Sequence, residues 1–306
     1  MHPTSNFTPQ LTADGSFTFF SQEFGESFHS HYGAKQEAEL KFVEPTQLRQ
    51  KAQQPIIYLL DICYGLGYNT AAALETIWAT NPNCLVEWIG LELDPSVPPT
   101  ALEHNLLNSW ASPIPELLAQ IATAQKIDTP KIKANLLLGD ARKTIQQVNN
   151  SGFKADAIFL DPFSPPHCPQ LWTVEFLTLV AGCLNFNGLL ATYSSSAAAR
   201  SAMKAAGLVI GSTPPVGRRS PGTVACKETL QNPSLRYVNS LKLSEQESEH
   251  LCTRAAIPYR DPLLKDSPQD IILRRKLEQQ TSPLEPTQAW KKRWLTLKDS
   301  TSRNVT

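Results

Sequence analysis

Four acidic residues stand where apolar runs of this sequence end. In chain order they are Asp61, Glu92, Asp140 and Asp161. In an open α/β sheet, the carboxyl ends of parallel strands meet at one edge and hold the ligand. A carboxylate there can accept a hydrogen bond from a ribose diol, from an adenine amino group or from a reacting amine. We expect the ribose contact for Glu92 and the adenine contact for Asp140. One such residue is more often a cap or a solvated turn carboxylate, but four in succession favour a nucleotide site.

The segments that must position these carboxylates alternate between strand-like and helix-like patterns. Near-continuous apolar runs are typical of parallel strands covered on both faces. Such runs occupy 56–60, 85–91, 135–138, 157–160 and 189–193. The region 96–132 is longer than one crossover requires, and its prolines predict at least two helices. The alternation over 56–226 predicts the α/β fold class, with a mostly parallel central sheet and helices on both faces.

The segment 61–69, which reads DICYGLGYN, predicts a sharp turn between a strand and a helix. Gly65 and Gly67 allow the backbone to turn and a ligand to approach closely, and Asn69 is placed to cap a helix that runs to about residue 79. The third glycine of a dinucleotide fingerprint is absent, and no lysine follows as in a phosphate-binding loop. A tight turn without a ligand stays open as an alternative for this segment alone. As D-x-C-Y-G-x-G-x-N, it resembles the first motif of class I S-adenosylmethionine (SAM) methyltransferases, which implies a Rossmann-like fold.

Three regions differ in their patterns. Residues 1–45 are expected to form an N-terminal entrance segment, irregular over 1–20 and then a short strand or hairpin followed by a short helix. Residues 46–226 are expected to form the SAM-dependent methyltransferase domain. Residues 227–306 are polar with alternating charge and few strand patterns, and they predict a helical C-terminal appendage that is partly flexible.

Composition excludes several classes of protein. The formal net charge is +0, so bulk charge implies no general affinity for polyanions. The 6 cysteines form no C-x-x-C pair, which predicts neither a metal site nor a disulfide framework. No signal peptide or membrane-spanning run is apparent, so we expect a cytoplasmic protein with no membrane partner.

A second set of motifs resembles a narrower family, the MnmC-type tRNA methyltransferases. The run DAIFLDPFSP at 156–165, followed by PQLWT at 169–173, is similar to the family's D-x-x-F-L-D-x-F-[AS]-P and N-P-x-[ML]-W-T elements. The N-terminal pattern with Ser21, Phe24 and Glu37 resembles the family's entrance motif, and Gly217-Arg218-Arg219 resembles its basic turn. The resemblance covers roughly residues 18–226.

The resemblance implies transfer of a methyl group from SAM to the amine of wobble 5-aminomethyl-2-thiouridine in tRNA. Because only about eighty residues follow, we expect the stand-alone form without the flavin-dependent oxidase domain. The implied catalytic residues are Asp161 and Phe163, and the implied substrate-binding residues are Arg218 and Arg219. The residues expected to bind SAM are Glu37, Asp61, Tyr64, Gly65, Gly67, Asn69, Glu92, Asp140 and Ala141. The oligomeric state is left open.

The chemistry of an amine acceptor suits Asp161, since a carboxylate beside the methyl group can take a proton from the amine or orient it. The alternative is that Asp161 only caps the next turn. Further basic clusters that could contact RNA lie at 274–276 and 290–294. Two other functions stay open: methylation of a small amine or a protein side chain, and RNA binding without catalysis on a methyltransferase fold.

Overall fold

The chain begins with two small hairpins and then builds one large sheet. A computed structural model of the chain describes residues 7–217, 220–228 and 232–303. The strands are β1 Gln10–Leu11, β2 Phe17–Thr18, β3 Phe20–Ser21, β4 Glu26–Ser27, β5 Ile56–Ile62, β6 Leu85–Glu92, β7 Lys126–Asp128, β8 Ile132–Leu138, β9 Ala155–Leu160, β10 Leu184–Thr192, β11 Leu208–Thr213 and β12 Gly222–Lys227. β1 pairs with β2, and β3 pairs with β4, both antiparallel.

The large sheet has the order β11-β12-β10-β9-β5-β6-β8-β7. The five central strands, from β10 to β8, are parallel to one another, and the outer pairings are antiparallel. The chain builds outward from β5 to β6 and β8, and then continues on the other side of β5 with β9 and β10. The order therefore reverses between β5 and β9, and such a switch point opens a crevice at the carboxyl ends of the strands.

Helices cover both faces of this sheet. They are α1 Ala34–Glu37, α2 Leu48–Lys51, α3 Tyr68–Thr80, α4 Val97–Glu103, α5 Ile114–Ala124, α6 Ala141–Asn150, α7 Val174–Gly182, α8 Ala197–Ala205, α9 Pro233–Ser240, α10 Glu245–His250, α11 Pro268–Thr281 and α12 Thr287–Arg303. A π-helical segment, Ala38–Val43, continues from α1, and 3₁₀ turns lie at Pro169–Trp172 and Arg254–Ala256. Among the described residues, no helix is both long and apolar enough to cross a membrane.

Two hydrophobic cores lie on opposite faces of the sheet. Successive side chains of a strand point to opposite faces, and β5 shows this directly, because Leu59 belongs to one core and Leu60 to the other. Both side chains are fully buried. The apolar runs are therefore nearly continuous because each strand is buried on both sides.

The predicted fold class is confirmed. Each apolar run coincides with a strand of the large sheet, except that Tyr193, the last residue of the run 189–193, lies just beyond the end of β10. The predicted pair of helices in 96–132 is present as α4 and α5. Two expectations were wrong. The stretch 1–20 is not wholly irregular, since β1 and β2 form a hairpin there. Asn69 does not cap α3, because the helix already begins at Tyr68, and Gly67, with a φ of 84°, is its N-cap.

A buried arginine ties the sheet to the C-terminal helices. Arg200, on α8, is 1% exposed. Its Nη1 donates to Oε1 of Glu247 on α10 at 2.7 Å, and its Nε donates to the hydroxyl of Thr223 on β12 at 2.9 Å. A buried guanidinium is tolerated only when it is paired and hydrogen-bonded.

The Glu247 pair makes the stability of the fold depend on pH. Burial raises the pKa of Glu247, but hydrogen bonds from Ser212, the Ser244 N–H and Arg200 outweigh it and lower the pKa to about 2. The pKa of a glutamate in the unfolded chain is about 4.3. The stabilisation by Glu247 is therefore present above that pH and is lost as the pH falls through about 2.

We expect the difference in unfolding free energy between wild type and Glu247→Gln to be larger at pH 7 than at pH 3.5. Urea titrations at both pH values measure it, with the neighbouring Glu245→Gln as the control. An equal difference at both pH values would refute the pairing.

Candidate active site

A cavity of about 1250 Å³ opens at the switch point of the sheet. Its wall is formed by the entrance segment, the glycine loop, the ends of β6 and β8, and the proline-rich loop after β9. The predicted site residues that line this wall are Glu37, Tyr64, Gly65, Glu92, Asp140, Ala141, Asp161 and Phe163. Three others, Asp61, Gly67 and Asn69, lie behind the wall.

The carboxylate of Glu92 holds the glycine loop at the end of β6. Its Oε2 accepts the N–H of Gly65 at 2.8 Å, and its Oε1 accepts the N–H of Asp94 at 2.9 Å. Burial raises the pKa of Glu92, against the opposing effect of these N–H groups. Gly67 is required for this loop, because a Cβ there would lie 2.7 Å from the hydroxyl oxygen of Tyr64.

Asp61 lies beneath the loop and is fully buried. Its Oδ2 accepts the hydroxyl of Thr70 at 2.6 Å, and that hydroxyl accepts the indole N–H of Trp88 at 2.9 Å. Oδ1 has no hydrogen-bond partner among the described residues. Burial, the largest influence, raises the pKa of Asp61 to about 7. Asp61 therefore supports α3 and the loop from below and does not face the cavity.

Asp140 caps α6 and pairs with the arginine that follows it. Its Oδ1 accepts the backbone N–H of Arg142 at 2.9 Å, and its Oδ2 lies 2.7 Å from Nη2 of Arg142. Burial raises the pKa of Asp140, but the hydrogen bonds and charge of Arg142 outweigh it, and the net shift is downward. The side chain of Asp140 is 31% exposed, so an ionised carboxylate faces the cavity.

Asp161 lies on the wall at the end of β9, in a loop with little freedom to move. The side-chain amide of Asn69 donates to its Oδ2 at 2.8 Å. Two backbone carbonyls of the same loop are also bound. The carbonyl of Pro162 accepts the hydroxyl of Tyr193 at 2.9 Å, and the carbonyl of Phe163 accepts the indole N–H of Trp172 at 2.9 Å. These bonds hold the carboxylate of Asp161 and the backbone of the loop in one arrangement.

The hairpin of β3 and β4 closes over this loop. Phe24 stacks on Phe163 with ring centroids 4.4 Å apart. Glu26 accepts the N–H of Ser164 at 2.8 Å, and its Oε1 lies 3.2 Å from Nδ1 of His167. The hairpin is present where the sequence predicts one, but Glu26 was not among the expected site residues, because its partner Ser164 lies 138 positions away in the chain.

The charges of the wall are strongly unbalanced. Seven wall residues are acidic: Glu23, Glu26, Glu37, Glu92, Asp94, Asp140 and Asp161. They face two histidines, His29 and His31, and the guanidinium of Arg142, which is already paired with carboxylates. Such a cavity favours a ligand with positive charge. Among the described residues, no group of three or more His, Cys, Asp or Glu side chains is arranged to hold a metal ion.

The basic clusters at 274–276 and 290–294, which were expected as possible RNA contacts, do not line the cavity. Arg218 and Arg219 lie outside the described residues. Arg274 pairs with Asp266 at 2.6 Å, and Arg293 pairs with Glu249 at 2.6 Å. These two guanidinium groups therefore bind carboxylates within the C-terminal part of the chain.

Comparison with known proteins gives consistent results. A family model described as S-adenosyl-L-methionine-dependent methyltransferase matches residues 104–228. The crystal structure of MnmC2 from Aquifex aeolicus superimposes with a TM-score of 0.76 and 34% identity, over 92% of this chain and 87% of that chain.

Two sequence relatives extend this result. The uncharacterized protein MJ0670 of Methanocaldococcus jannaschii is 31% identical over 85% of this chain and 69% of its own length. The tRNA 5-methylaminomethyl-2-thiouridine biosynthesis bifunctional protein MnmC of Ralstonia nicotianae is 27% identical over 72% of this chain. This chain spans only 34% of the length of that protein.

The buried Asp61 predicts a pH dependence of the ligand-free protein. The pKa of an aspartate in the unfolded chain is about 3.9, while the pKa of Asp61 in the folded protein is about 7. The contribution of Asp61 to the stability of the fold is therefore present below about pH 4 and is lost as the pH rises through about 7. Asp61→Asn is neutral at every pH, so we expect its stability relative to wild type to increase between pH 5 and pH 8. Urea unfolding of both proteins without ligand measures this, and parallel stability curves would contradict the assignment.

Proposed function

We propose that this chain, which belongs to the MnmC2 family of SAM-dependent methyltransferases, methylates the primary amine of 5-aminomethyl-2-thiouridine at the wobble position of tRNA. The product is the 5-methylaminomethyl nucleoside. The names of the bifunctional relatives support the substrate. The observation that carries the proposal is the place of Asp161, which lies beside an immobilised aromatic loop in the same cavity as Glu92 and Asp140.

The residues of the cavity fit the cofactor. Glu92 lies at the end of β6, where a carboxylate can accept hydrogen bonds from a ribose diol. Asp140 and Ala141 lie at the end of β8 and the start of α6, where they fit the adenine base. Gly65 leaves the loop without a side chain at the cavity wall, so a ligand can approach the backbone there. When bound, SAM supplies the methyl group and a sulfonium leaving group.

Asp161 is the residue suited to prepare the acceptor. An alkylamine is mostly protonated at neutral pH, as the lysine reference pKa of about 10.4 shows, and an ammonium group has no lone pair for attack. Asp161 attracts the cationic amine, accepts its proton or orients it by a hydrogen bond, and Asn69 fixes the direction of the carboxylate. Phe163 supplies an apolar wall that excludes water. The main contribution of the chain is alignment of the two reactants.

The acidic wall also explains which amine would be accepted. A carboxymethylaminomethyl group carries its own carboxylate into a cavity lined by seven acidic residues. Like charges in a partly buried site repel strongly, so we expect the aminomethyl form to be the substrate.

Replacement of Asp161 tests its role in the reaction. We expect Asp161→Ala to fold and to bind SAM as the wild type does. Turnover on saturating tRNA should fall roughly 10²- to 10⁴-fold, the usual range for loss of proton-transfer assistance. Asp128→Asn, at an exposed site on the edge strand β7, is the matched control and should keep wild-type turnover. If Asp161→Ala turns over at nearly the wild-type rate, Asp161 is only a structural cap.

A labelled-methyl assay tests the acceptor. The wild-type protein is incubated with labelled SAM and with tRNA that carries either the aminomethyl or the carboxymethylaminomethyl group, and the labelled nucleoside is identified by mass spectrometry. We expect label on the aminomethyl tRNA alone. Label on a protein or a free amine, but never on aminomethyl tRNA, would support a different methyltransferase, and SAM binding without any transfer would support a non-catalytic protein.

A further inference from the structure

Arg142 connects the cavity wall to the C-terminal part of the chain. Its Nε and Nη2 contact the carboxylate of Asp140, the latter at 2.7 Å. Its Nη1 donates to Oδ2 of Asp261 at 2.9 Å and to the carbonyl of Asp266 at 2.9 Å. One guanidinium group thus bridges the carboxylate of Asp140 in the cavity and the carboxylate of Asp261, which lies 119 positions after Arg142 in the chain.

Asp261 is held in a well-defined turn. Its side chain is fully buried. Its Oδ1 accepts the N–H groups of Lys265 at 3.1 Å and Asp266 at 3.2 Å, and its own N–H donates to Glu175 of α7 at 2.8 Å. A fully buried carboxylate is strongly unfavourable without a counter-charge, and Arg142 supplies that charge. The position of Arg142 is therefore fixed from the side of the C-terminal segment.

The segment around this turn packs against the core next to the cavity. Tyr259 and Ile271 are both buried in the same hydrophobic core as Leu171. Leu171 lies in the 3₁₀ turn Pro169–Trp172 and lines the cavity. An isolated parallel β-bridge between Thr173 and Tyr259 joins the C-terminal segment to the residue that follows this 3₁₀ turn. The turn that carries Asp261 is thus part of a packed surface beside the cavity.

We propose that Asp261 is a positioning residue for the cofactor, acting through Arg142 on Asp140. The proposal rests on the proposed cofactor site, in which Asp140 and the start of α6 receive the adenine base. The helix cap holds only Oδ1 of Asp140, through the backbone N–H of Arg142, and Oδ2 is held by the guanidinium of Arg142 at 2.7 Å. Arg142 restricts the carboxylate of Asp140 to one orientation, and Asp261 restricts Arg142. The C-terminal segment is then a component of the cofactor site and not only an addition to the fold.

Asp261→Asn is the direct test, because asparagine keeps the shape of the side chain and removes its charge. Loss of one charge-assisted hydrogen bond corresponds to roughly a tenfold or greater weakening of SAM binding. We expect the dissociation constant for SAM, measured by calorimetry, and the KM for SAM to rise by about that factor, with kcat at saturating SAM unchanged. Asp266→Asn is the matched control in the same turn, since Asp266 contacts Arg142 through its backbone carbonyl and uses its carboxylate for Arg274. Its SAM affinity should stay within about twofold of wild type.

A second measurement uses the wild-type protein and does not depend on whether the variant folds. Coupling between two sites is reciprocal, so binding of SAM must stabilise the turn that holds Arg142. We expect the amides of Lys265 and Asp266 to exchange hydrogen more slowly when SAM is bound. Wild-type SAM affinity in a folded Asp261→Asn variant, or unchanged exchange of these amides, would overturn the inference. Failure of the wild type to bind SAM would instead overturn the proposed function, and this inference with it.

Discussion

The site depends on placing four carboxylates at one edge of the sheet while giving each of them at least one hydrogen-bond donor. Like charges in a partly buried cavity raise one another's energy, and each buried carboxylate also loses hydration. The structure meets this constraint with a different donor for each group. Asp61 is bound by the hydroxyl of Thr70, Glu92 by backbone N–H groups, Asp140 by Arg142 and Asp161 by the amide of Asn69.

These donors determine what the surrounding elements must do. The glycine loop has to turn so that the N–H of Gly65 meets Glu92. Gly67 cannot carry a side chain in this turn, because a Cβ would meet the hydroxyl of Tyr64. Helix α3 has to begin at Tyr68 so that Asn69 reaches Asp161 across the switch point. Arg142 balances Asp140 but lies beside the buried Asp261, so the C-terminal segment takes part in the same network. The wall still keeps a large excess of acidic groups, which suits a sulfonium cofactor and a cationic amine.

Much of this arrangement could be predicted from the sequence because it depends on short patterns. The apolar runs, the acidic residue at the end of four of them and the glycine turn are all local features. Asp61 is the exception among the four acids, since it lies beneath the loop and does not line the cavity. The donors could not be predicted in the same way, because they come from distant parts of the chain. Asn69 illustrates this, since its spacing fits a helix cap equally well, and only the neighbouring position of β5 and β9 brings it to Asp161. Glu26 reaches Ser164 across 138 positions, and nothing local indicates that contact.

In the proposed function, SAM binds along the row of strand ends, with the ribose at Glu92, the adenine at Asp140 and the reactive end at Asp161. The most direct test is a crystal structure of the protein with S-adenosylhomocysteine. We expect ribose hydroxyls hydrogen-bonded to Glu92, the adenine beside Asp140 and Ala141, and the sulfur atom facing the side of the cavity formed by Asp161 and Phe163. A ligand bound elsewhere, or one with its sulfur turned away from Asp161, would contradict the account.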